Sequence, residues 1–227
     1  RERGGGGGSF TGGGSAVLTV SNCVFYGNTV NGQWAASGAG AWVSGFAKAD
    51  FIGTSFASNR WVYSRGSSFA GALQLHAQRN ATFRGCDFRG NFGKGEIVHL
   101  NGACGGALFE NCVFSGNECS GSSILAASLD SPGATLAFTN CTFAYNYAAS
   151  TAVMVSKGTL TVSDSIFHRN LSSATSTLGT DVALTSEAAT GTVSYCAFGG
   201  LDLDYLSEKE PGSLTVTNAL AVADPLF

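Results

Sequence analysis

A short pattern recurs along the chain at a nearly regular interval. A Cys, Thr or Ser is followed two residues later by Phe, and three residues after that Phe by Asn. Six copies carry all three residues, and they begin at Cys23, Thr54, Cys86, Cys112, Cys141 and Ser165. A seventh copy, Cys196-x-Phe198, has Leu201 in place of Asn. Successive copies start 31, 32, 26, 29, 24 and 31 residues apart, and an inexact period of this length is typical of stacked repeat proteins.

The repeat extends through nearly all of the 227 residues, which predicts a single solenoid domain over residues 16–227. The Gly-rich opening, residues 1–15, is interpreted as a flexible segment or as an incomplete first coil, with little order before about Ser15. Because the sequence begins at Arg1 without Met, we expect a processed or excerpted piece of a longer protein.

The composition favours turns and uncharged strands over surface helices, since charged residues make up 12% of the chain and there are 32 glycines. The net charge of −3 gives no argument for attraction to nucleic acid or to a membrane. No apolar run reaches 18 residues, which predicts no membrane segment in this chain.

Each repeat is interpreted as three strands. The first strand contains the pattern, for example from Leu18 to Phe25, and alternation should point its Cys and Phe inward. The Asn follows at a turn, where stacked amides hydrogen-bond one another. We therefore predict an all-β chain, a right-handed three-sided parallel β-helix of about seven to eight coils. The predicted inward ladder consists of Phe25, Phe56, Phe88, Phe114, Phe143, Phe167, Asn28, Asn59, Asn91, Asn117, Asn146 and Asn170.

Five of the seven cysteines occupy one repeat position: Cys23, Cys86, Cys112, Cys141 and Cys196. Equivalent residues of stacked coils point the same way, so these five are interpreted as a ladder of small apolar thiols rather than a disulfide framework. Cys104 and Cys119 lie outside the ladder, and two interpretations stay open for them: a disulfide, which needs an oxidising compartment, or two free thiols.

The connection after the Asn is long in the first, second and sixth copies and short in the others. Long loops on one edge of a solenoid are a usual place for binding. Basic and aromatic residues of two such loops are candidate contacts for a glycan or a protein partner: Trp34, Trp61, Tyr63, Arg60 and Arg65. The alternative is ordinary surface charge beside aromatic residues packed under the loops.

Three other groups of residues are weaker candidates. His76 and His99 come near one position of adjacent coils and could approach each other, which would suit a metal or proton transfer, although a solvated pair is the alternative. Four acidic residues of 202–210 could bind Ca²⁺ or simply belong to a capping loop. Sequons for N-glycosylation lie at Asn80, Asn140 and Asn170, with Asn170 expected to be buried in its turn.

The repeated Phe-x-x-Asn, together with Gly105-Gly106-Ala107-Leu108, resembles the repeat of the chlamydial polymorphic outer membrane proteins. Similar right-handed β-helix repeats of the pectin-lyase-like fold occur in large surface proteins of other bacteria, algae and oomycetes. The resemblance implies a secreted or surface-displayed stalk or adhesin and not a reaction. We expect other protein subunits or glycans at the cell surface as partners, and no cofactor.

Enzymes are the competing class, because many proteins of that fold act on polysaccharides. The motifs of the polygalacturonase-like members are absent, and the carboxylates at Asp50, Asp87, Asp130, Asp164 and Asp181 are isolated in the sequence. We expect a non-catalytic, secreted or cell-surface module with a structural or adhesive role. The alternatives are a carbohydrate-active enzyme and a module of an extracellular filament that self-associates through coil ends.

Overall fold

The structure, a computed structural model, describes residues 6–31, 38–62, 70–76, 79–102, 104–121, 123–172, 180–199 and 213–222. In these residues every regular element is a β-strand, and the strands pair in parallel. The first four turns contain β1 (Gly8–Thr11), β2 (Val17–Ser21), β3 (Val24–Tyr26), β4 (Thr29–Val30), β5 (Ala41–Ser44), β6 (Lys48–Ile52), β7 (Ser55–Ala57), β8 (Arg60–Trp61), β9 (Leu73–His76), β10 (Asn80–Arg84), β11 (Asp87–Arg89), β12 (Phe92–Gly93), β13 (Val98–Asn101), β14 (Gly106–Glu110), β15 (Val113–Ser115) and β16 (Glu118–Cys119). The later turns contain β17 (Ser123–Ser128), β18 (Thr135–Thr139), β19 (Thr142–Ala144), β20 (Tyr147–Ala148), β21 (Thr151–Ser163), β22 (Ile166–His168), β23 (Leu171–Ser172), β24 (Thr180–Leu184), β25 (Ala189–Ser194), β26 (Ala197–Gly199), β27 (Ser213–Thr217) and β28 (Leu220–Val222).

The strands form three sheets. Sheet 1 has 14 strands in two stacks: stack 1a runs from β1 through β5 to β24, and stack 1b runs from β2 through β6 to β27. The long strand β21 belongs to both stacks and joins them. Sheet 2 has eight strands and sheet 3 has six. One turn of the solenoid passes through stack 1a, stack 1b, sheet 2 and sheet 3, so the predicted all-β, right-handed parallel solenoid with three sheets is confirmed.

The number of coils differs from the prediction of seven to eight. About six turns are present, because sheet 3 ends at β23 in the described part of the chain while the other sheets continue for one or two strands more. The predicted number included the last two copies of the pattern, which keep a Phe or an apolar strand but lack the Asn.

The predicted first strand of each repeat is in fact two strands on different sheets. In the third turn, β10 ends at Arg84, Gly85 adopts a φ of 58°, and β11 begins at Asp87 after Cys86. Stack 1b leads into sheet 2 at eight corners in the described residues, and each has a residue with positive φ: Asn22, Gly53, Gly85, Asn111, Asn140, Asp164, Tyr195 and Asn218. A left-handed residue redirects the chain within one step. The inward orientation of Cys and Phe survives because the corner residue itself points outward.

The core contains two stacks of phenylalanine rings. The rings of the pattern stack from Phe25 to Phe198 with centroids 4.4–5.1 Å apart. A second stack, contributed by stack 1b, consists of Phe51, Phe83, Phe109 and Phe138. The two stacks meet edge to face, for example Phe109 and Phe114 at 5.6 Å. Because each turn buries its rings only against its neighbours, the solenoid is stable as a stack and not as single turns.

The Gly-rich opening contributes a strand, since β1 pairs with β5 from Gly8 to Thr11. The expectation of little order before about Ser15 is wrong for these residues. A parallel ladder is made by backbone groups and needs no large side chains, so glycines can join it at the end of a sheet.

Candidate functional site

The pattern Asn residues form a continuous hydrogen-bonded ladder along the inside of the solenoid. The backbone N and the Nδ2 of Asn91 both donate to the Oδ1 of Asn117, at 3.0 Å each. The Nδ2 of Asn91 also donates to the carbonyl of Phe56 in the preceding turn, at 2.8 Å. Amide-to-amide bonds of this kind link every step from Asn28 to Asn170. From Asn59 to Asn170 the side-chain amides are thus fully used within the fold and offer nothing to a ligand.

Asp181 ends this ladder. The Nδ2 of Asn170 donates to the Oδ1 of Asp181 at 2.9 Å, where the next turn of the sequence has Leu201 in place of Asn. Asp181 is only 3% exposed. Burial raises the pKa of Asp181 from 3.8 to about 7, against the effect of the hydrogen bond from Asn170. The interpretation of Asp181 as an isolated strand carboxylate missed this role, because the partner amide is eleven residues away, in the corner between β22 and β23.

The Cys, Thr or Ser of each pattern is a hydrogen-bond donor. The thiol of Cys112 donates to the carbonyl of Glu110 at 3.3 Å and to that of Phe83 in the preceding turn at 3.5 Å. The hydroxyl of Thr54 makes the equivalent bonds to Ile52 and Val20. The interpretation as small apolar thiols is therefore incomplete. The position needs a small side chain with a hydrogen-bond donor at the γ position, which Cys, Thr and Ser all provide.

Cys104 and Cys119 do not form a disulfide in this structure; both are buried thiols. The thiol of Cys104 donates to the carbonyl of Asn101 at 3.2 Å, and the thiol of Cys119 donates to that of Ser123 at 3.1 Å. The two residues lie on different sides of the solenoid: Cys119 is in β16 of sheet 3, and Cys104 lies between β13 and β14.

The three sequons differ in accessibility. Asn80 is exposed at the start of β10, and Asn140 is an exposed corner residue whose Nδ2 donates to the Oδ1 of Asn111 at 2.6 Å. Asn170 is buried, and both bonds of its Nδ2 lie inside the ladder. A glycan on Asn170 is therefore incompatible with the folded solenoid.

Two of the candidate partner contacts lie in the described residues, one in the core and one on the surface. Trp61 is 1% exposed and belongs to the core, so its interpretation as a surface contact is wrong and the alternative of packing applies to it. Arg60 is exposed, and its guanidinium lies 4.5 Å from the ring centroid of Phe92. Trp34, Tyr63 and Arg65 lie outside the described residues, as does the acidic segment 202–210.

The two histidines have separate partners. The Nδ1 of His76 lies 2.8 Å from the Oδ1 of Asn101, and the Nδ1 of His99 lies 2.9 Å from the Oε2 of Glu96. Strand register places His99 beside Gln74 and His76 beside Asn101, so the two histidines do not lie opposite each other, as a shared metal or proton-transfer site would need. Within the described part of the chain no group of three His, Cys, Asp or Glu residues is arranged to hold a metal ion.

The outward face of stack 1b carries a groove of about 490 Å³. Two columns of outward residues line it: Lys48, Asn80 and Thr135 in one, and Thr82, Leu108 and Ala137 in the other. Gly106 stands between Asn80 and Thr135 in the first column, so the column lacks a side chain there. We call this concavity the stack 1b groove.

Backbone geometry fixes the gap at Gly106. Its φ is 141°, and a Cβ there would lie 2.5 Å from the carbonyl oxygen of Thr135. A Cβ on Gly105 would collide with the carbonyl of Arg79. Since neither position accepts a side chain without a backbone shift, the groove is a built feature of this turn.

The charged side chains around the groove form ion pairs. The Nζ of Lys48 lies 2.7 Å from the Oδ2 of Asp50, and the Nε of Arg84 lies 2.6 Å from the Oε2 of Glu110. The groove combines apolar groups, Leu108 and Ala137, with the amide of Asn80 and the hydroxyls of Thr82 and Thr135. From the sequence, Asn80 was considered only as a sequon and Leu108 only as part of a repeat motif. The Gly105-Gly106 pair was the available signal.

The parallel strands, the stacked rings and the inner amide ladder define the class of protein as a right-handed parallel β-solenoid. The family described as "Right handed beta helix region" matches residues 3–167, and the chain belongs to it. Nothing among the curated proteins or the solved structures matches the chain. The narrower resemblance to the polymorphic outer membrane protein repeat stays a prediction.

No helix able to cross a membrane occurs among the described residues.

Proposed function

We propose that this chain is a non-catalytic β-helix module of a secreted or cell-surface protein, with a structural or adhesive role. The observation that carries the proposal is the unbroken ladder from Asn28 to Asn170, which fixes the register of successive turns from the inside. Its buried amides bond to one another and to the carbonyls of the preceding turn. A rod held in this way supplies a stiff spacer whose outer faces are free to contact other molecules.

The adhesive part of the proposal is supported by the outer surface. The stack 1b groove is concave, and Arg60 is presented on sheet 3. The partners that we propose are glycans or other protein subunits at the cell surface.

Location is tested on intact cells of the source organism. An antibody against the chain should label unpermeabilised cells or detect the protein in the medium, and external protease should remove the label. Signal that appears only after lysis would contradict the proposed location, with a cytoplasmic enzyme as the control for leakage.

The non-catalytic role is tested by incubation with neutral, uronate and sulfated polysaccharides. We expect no release of reducing ends or unsaturated products above a heat-denatured sample. Turnover of any of these polymers would favour the enzyme alternative instead.

A second candidate is a filament module, favoured by the open strand edges of the first turn. The strands β1, β2, β3 and β4 each end their sheet or stack in the described residues, and Val24 and Tyr26 of β3 are each 69% exposed. An unpaired edge of this size is a template for a further parallel strand. Light scattering should show concentration-dependent, end-to-end association under this proposal, and a monomer at all concentrations would contradict it.

A further inference from the structure

We propose that the stacked thiols of Cys86, Cys112 and Cys141 form a binding site for copper(I), held between successive sulfur atoms. We call these three residues the thiol column. The inference goes beyond the structural or adhesive role proposed above and does not depend on it.

The three cysteines occupy equivalent positions of three adjacent turns. Stack 1b is in register immediately before them, and sheet 2 is in register immediately after them. The amide of Val113 donates to the carbonyl of Cys86 at 3.0 Å, and the amide of Thr142 donates to the carbonyl of Cys112 at 2.9 Å. Neighbouring cysteines are therefore one strand spacing apart, about 4.7–4.9 Å.

The sulfur atoms repeat at the same interval, because the three side chains make the same hydrogen bonds. Each thiol donates to the carbonyl two residues before it. Each also donates to a Phe carbonyl of the preceding turn, and these acceptors are Phe51, Phe83 and Phe109, at 3.4, 3.5 and 3.4 Å. Equivalent bonds fix equivalent side-chain directions, so the sulfurs form a line along the solenoid axis.

This spacing suits a metal ion better than a disulfide. A metal–thiolate bond is about 2.3 Å long, so an ion midway between two sulfurs needs them about 4.6 Å apart. The sulfurs of a disulfide are about 2.05 Å apart, so a pair in the column would have to close by roughly 2.7 Å. The gap between two turns already has the span of a two-coordinate ion.

The ligand set selects copper(I). The thiols form a line, and in the described residues no three ligands surround one point, so a zinc ion would lack two of its four ligands. Thiolates are soft ligands that favour copper(I). One proton leaves for each copper(I) that binds, so two ions on three sulfurs leave the buried column without net charge.

The other cysteines of the pattern lack a neighbouring thiol. Cys23 is followed in the next turn by Thr54, and Cys196 lies between Ser165 and Ala219. Oxygen ligands suit harder cations, so a hydroxyl does not replace the second sulfur. The thiol column therefore has two gaps, and Cys112 bounds both of them.

Copper(I) reaches the column through the corner between stack 1b and sheet 2. The three thiols are each 1% exposed, whereas the corner residues directly before them, Gly85, Asn111 and Asn140, are exposed. Entry requires local opening at this corner, so loading is slow and is followed over hours.

The experiment titrates copper(I) into the folded chain without oxygen, in competition with the chromogenic chelator bicinchoninate. Cys23 is exposed, so all samples contain Cys23→Ser to remove adventitious binding there. To this parent we add Cys112→Ser, Cys86→Ser, Cys141→Ser or Cys196→Ser, one at a time.

The fold should accept these variants. Ser165 already occupies the same position of its turn, where its hydroxyl donates to the carbonyl of Ser163 at 2.7 Å. Thermal melting checks each protein. If Cys112→Ser does not fold, Cys112→Thr takes its place, because Thr54 makes the equivalent bonds.

We expect two copper(I) ions in the parent and in Cys196→Ser, one in Cys86→Ser and in Cys141→Ser, and none in Cys112→Ser. X-ray absorption of the loaded parent should show two sulfur neighbours for each copper. Zinc at the same concentration should not bind.

Three results would overturn the inference. The Cys112 variant could bind as much copper as the parent, which would place the ions elsewhere. The copper could have three or four sulfur neighbours, which the line of thiols does not provide. The parent could lose two thiols without retaining copper, which would mean that the column is oxidised to a disulfide instead.

Discussion

The Nδ2 of Asn170 donates to the carboxylate of Asp181 at 2.9 Å, where the ladder of amides would otherwise need another Asn. A carboxylate has only acceptor oxygens, so it can accept the hydrogen bond from the last amide of the ladder without needing an acceptor of its own in the next turn. The cost is a carboxyl group buried at 3% exposure. The end of the ladder is therefore its pH-sensitive point.

Asp181→Asn should flatten the dependence of stability on pH. The pKa of Asp181 is about 7 in the folded chain against 3.8 for the free group, so between these values the folded state holds a proton that the unfolded state has released. Stability attributable to this group is therefore greatest below about pH 4 and falls as pH rises to 7, by on the order of 2–4 kcal/mol. Denaturant unfolding from pH 4 to 8 measures the difference between the two proteins.

Asp130→Asn is the control for that profile. Asp130 is half exposed and pairs with Lys157 at the surface, at 3.1 Å. Its removal should leave the slope between pH 4 and 7 unchanged. Parallel profiles for the unchanged chain and Asp181→Asn would show that Asp181 is solvated.

Asn117→Ala should destabilise the solenoid strongly. The side chain accepts two hydrogen bonds from Asn91 and donates to Asn146 and Phe88, all of them buried. Buried groups left without partners cost about 1–3 kcal/mol each, so we expect the free energy of unfolding to fall by about 3 kcal/mol or more.

Asn28→Ala is the matched variant, because Asn28 is only part-buried and begins the ladder. It donates to Asn59 and should cost about 1 kcal/mol or less. Equal losses for the two variants in urea titrations would mean that the ladder contributes through packing alone.

The pair Cys112→Thr and Cys112→Val tests the donor requirement. The two replacements have nearly the same shape, but only Thr retains a donor for the carbonyls of Glu110 and Phe83. Because Thr54 makes the corresponding bonds, we expect the Thr variant to be about 1 kcal/mol more stable than the Val variant. A more stable Val variant would restore the purely apolar interpretation of this column.

Thiol counting tests the cysteine states. Cys23 is exposed, whereas the other six cysteines are buried, and burial raises the pKa of Cys119 to about 12. Without reductant, we expect one thiol to react rapidly with an aromatic disulfide reagent in the native protein and seven after denaturation. Cys23→Ser should abolish the rapid phase. Five thiols in the denatured protein would instead indicate a disulfide, with Cys104 and Cys119 as the first pair to examine by peptide mapping.

The fold was predictable because its signal is periodic. The spacing of Cys, Phe and Asn identifies the inner face of each turn, and stacking then follows from the repeat itself. The division of the first strand was not predictable, since Gly, Asn, Asp and Tyr all occupy the left-handed corner and no residue type marks it. The second ring stack did carry a signal, because Phe51, Phe83, Phe109 and Phe138 each precede a pattern Phe by five residues.

The site was harder to predict than the fold. The stack 1b groove is made by a missing side chain at Gly106 and by residues of four different turns, which a linear sequence keeps far apart. Trp61 looks like a loop aromatic in the sequence but points inward from the second residue of β8. The partner of Asp181 depends on a strand register that only the folded chain fixes.

The amide ladder also gives the solenoid a direction. Each amide-to-amide bond from Asn28 onward runs from the Nδ2 of one turn to the Oδ1 of the next, and the series ends on the carboxyl group of Asp181. Two copies meeting at identical ends would run their edge strands in opposite directions, whereas unlike ends would continue the parallel order of the sheets. Association along the axis would therefore be heterologous, and contacts of that kind propagate as an open fibre instead of closing into a symmetric dimer.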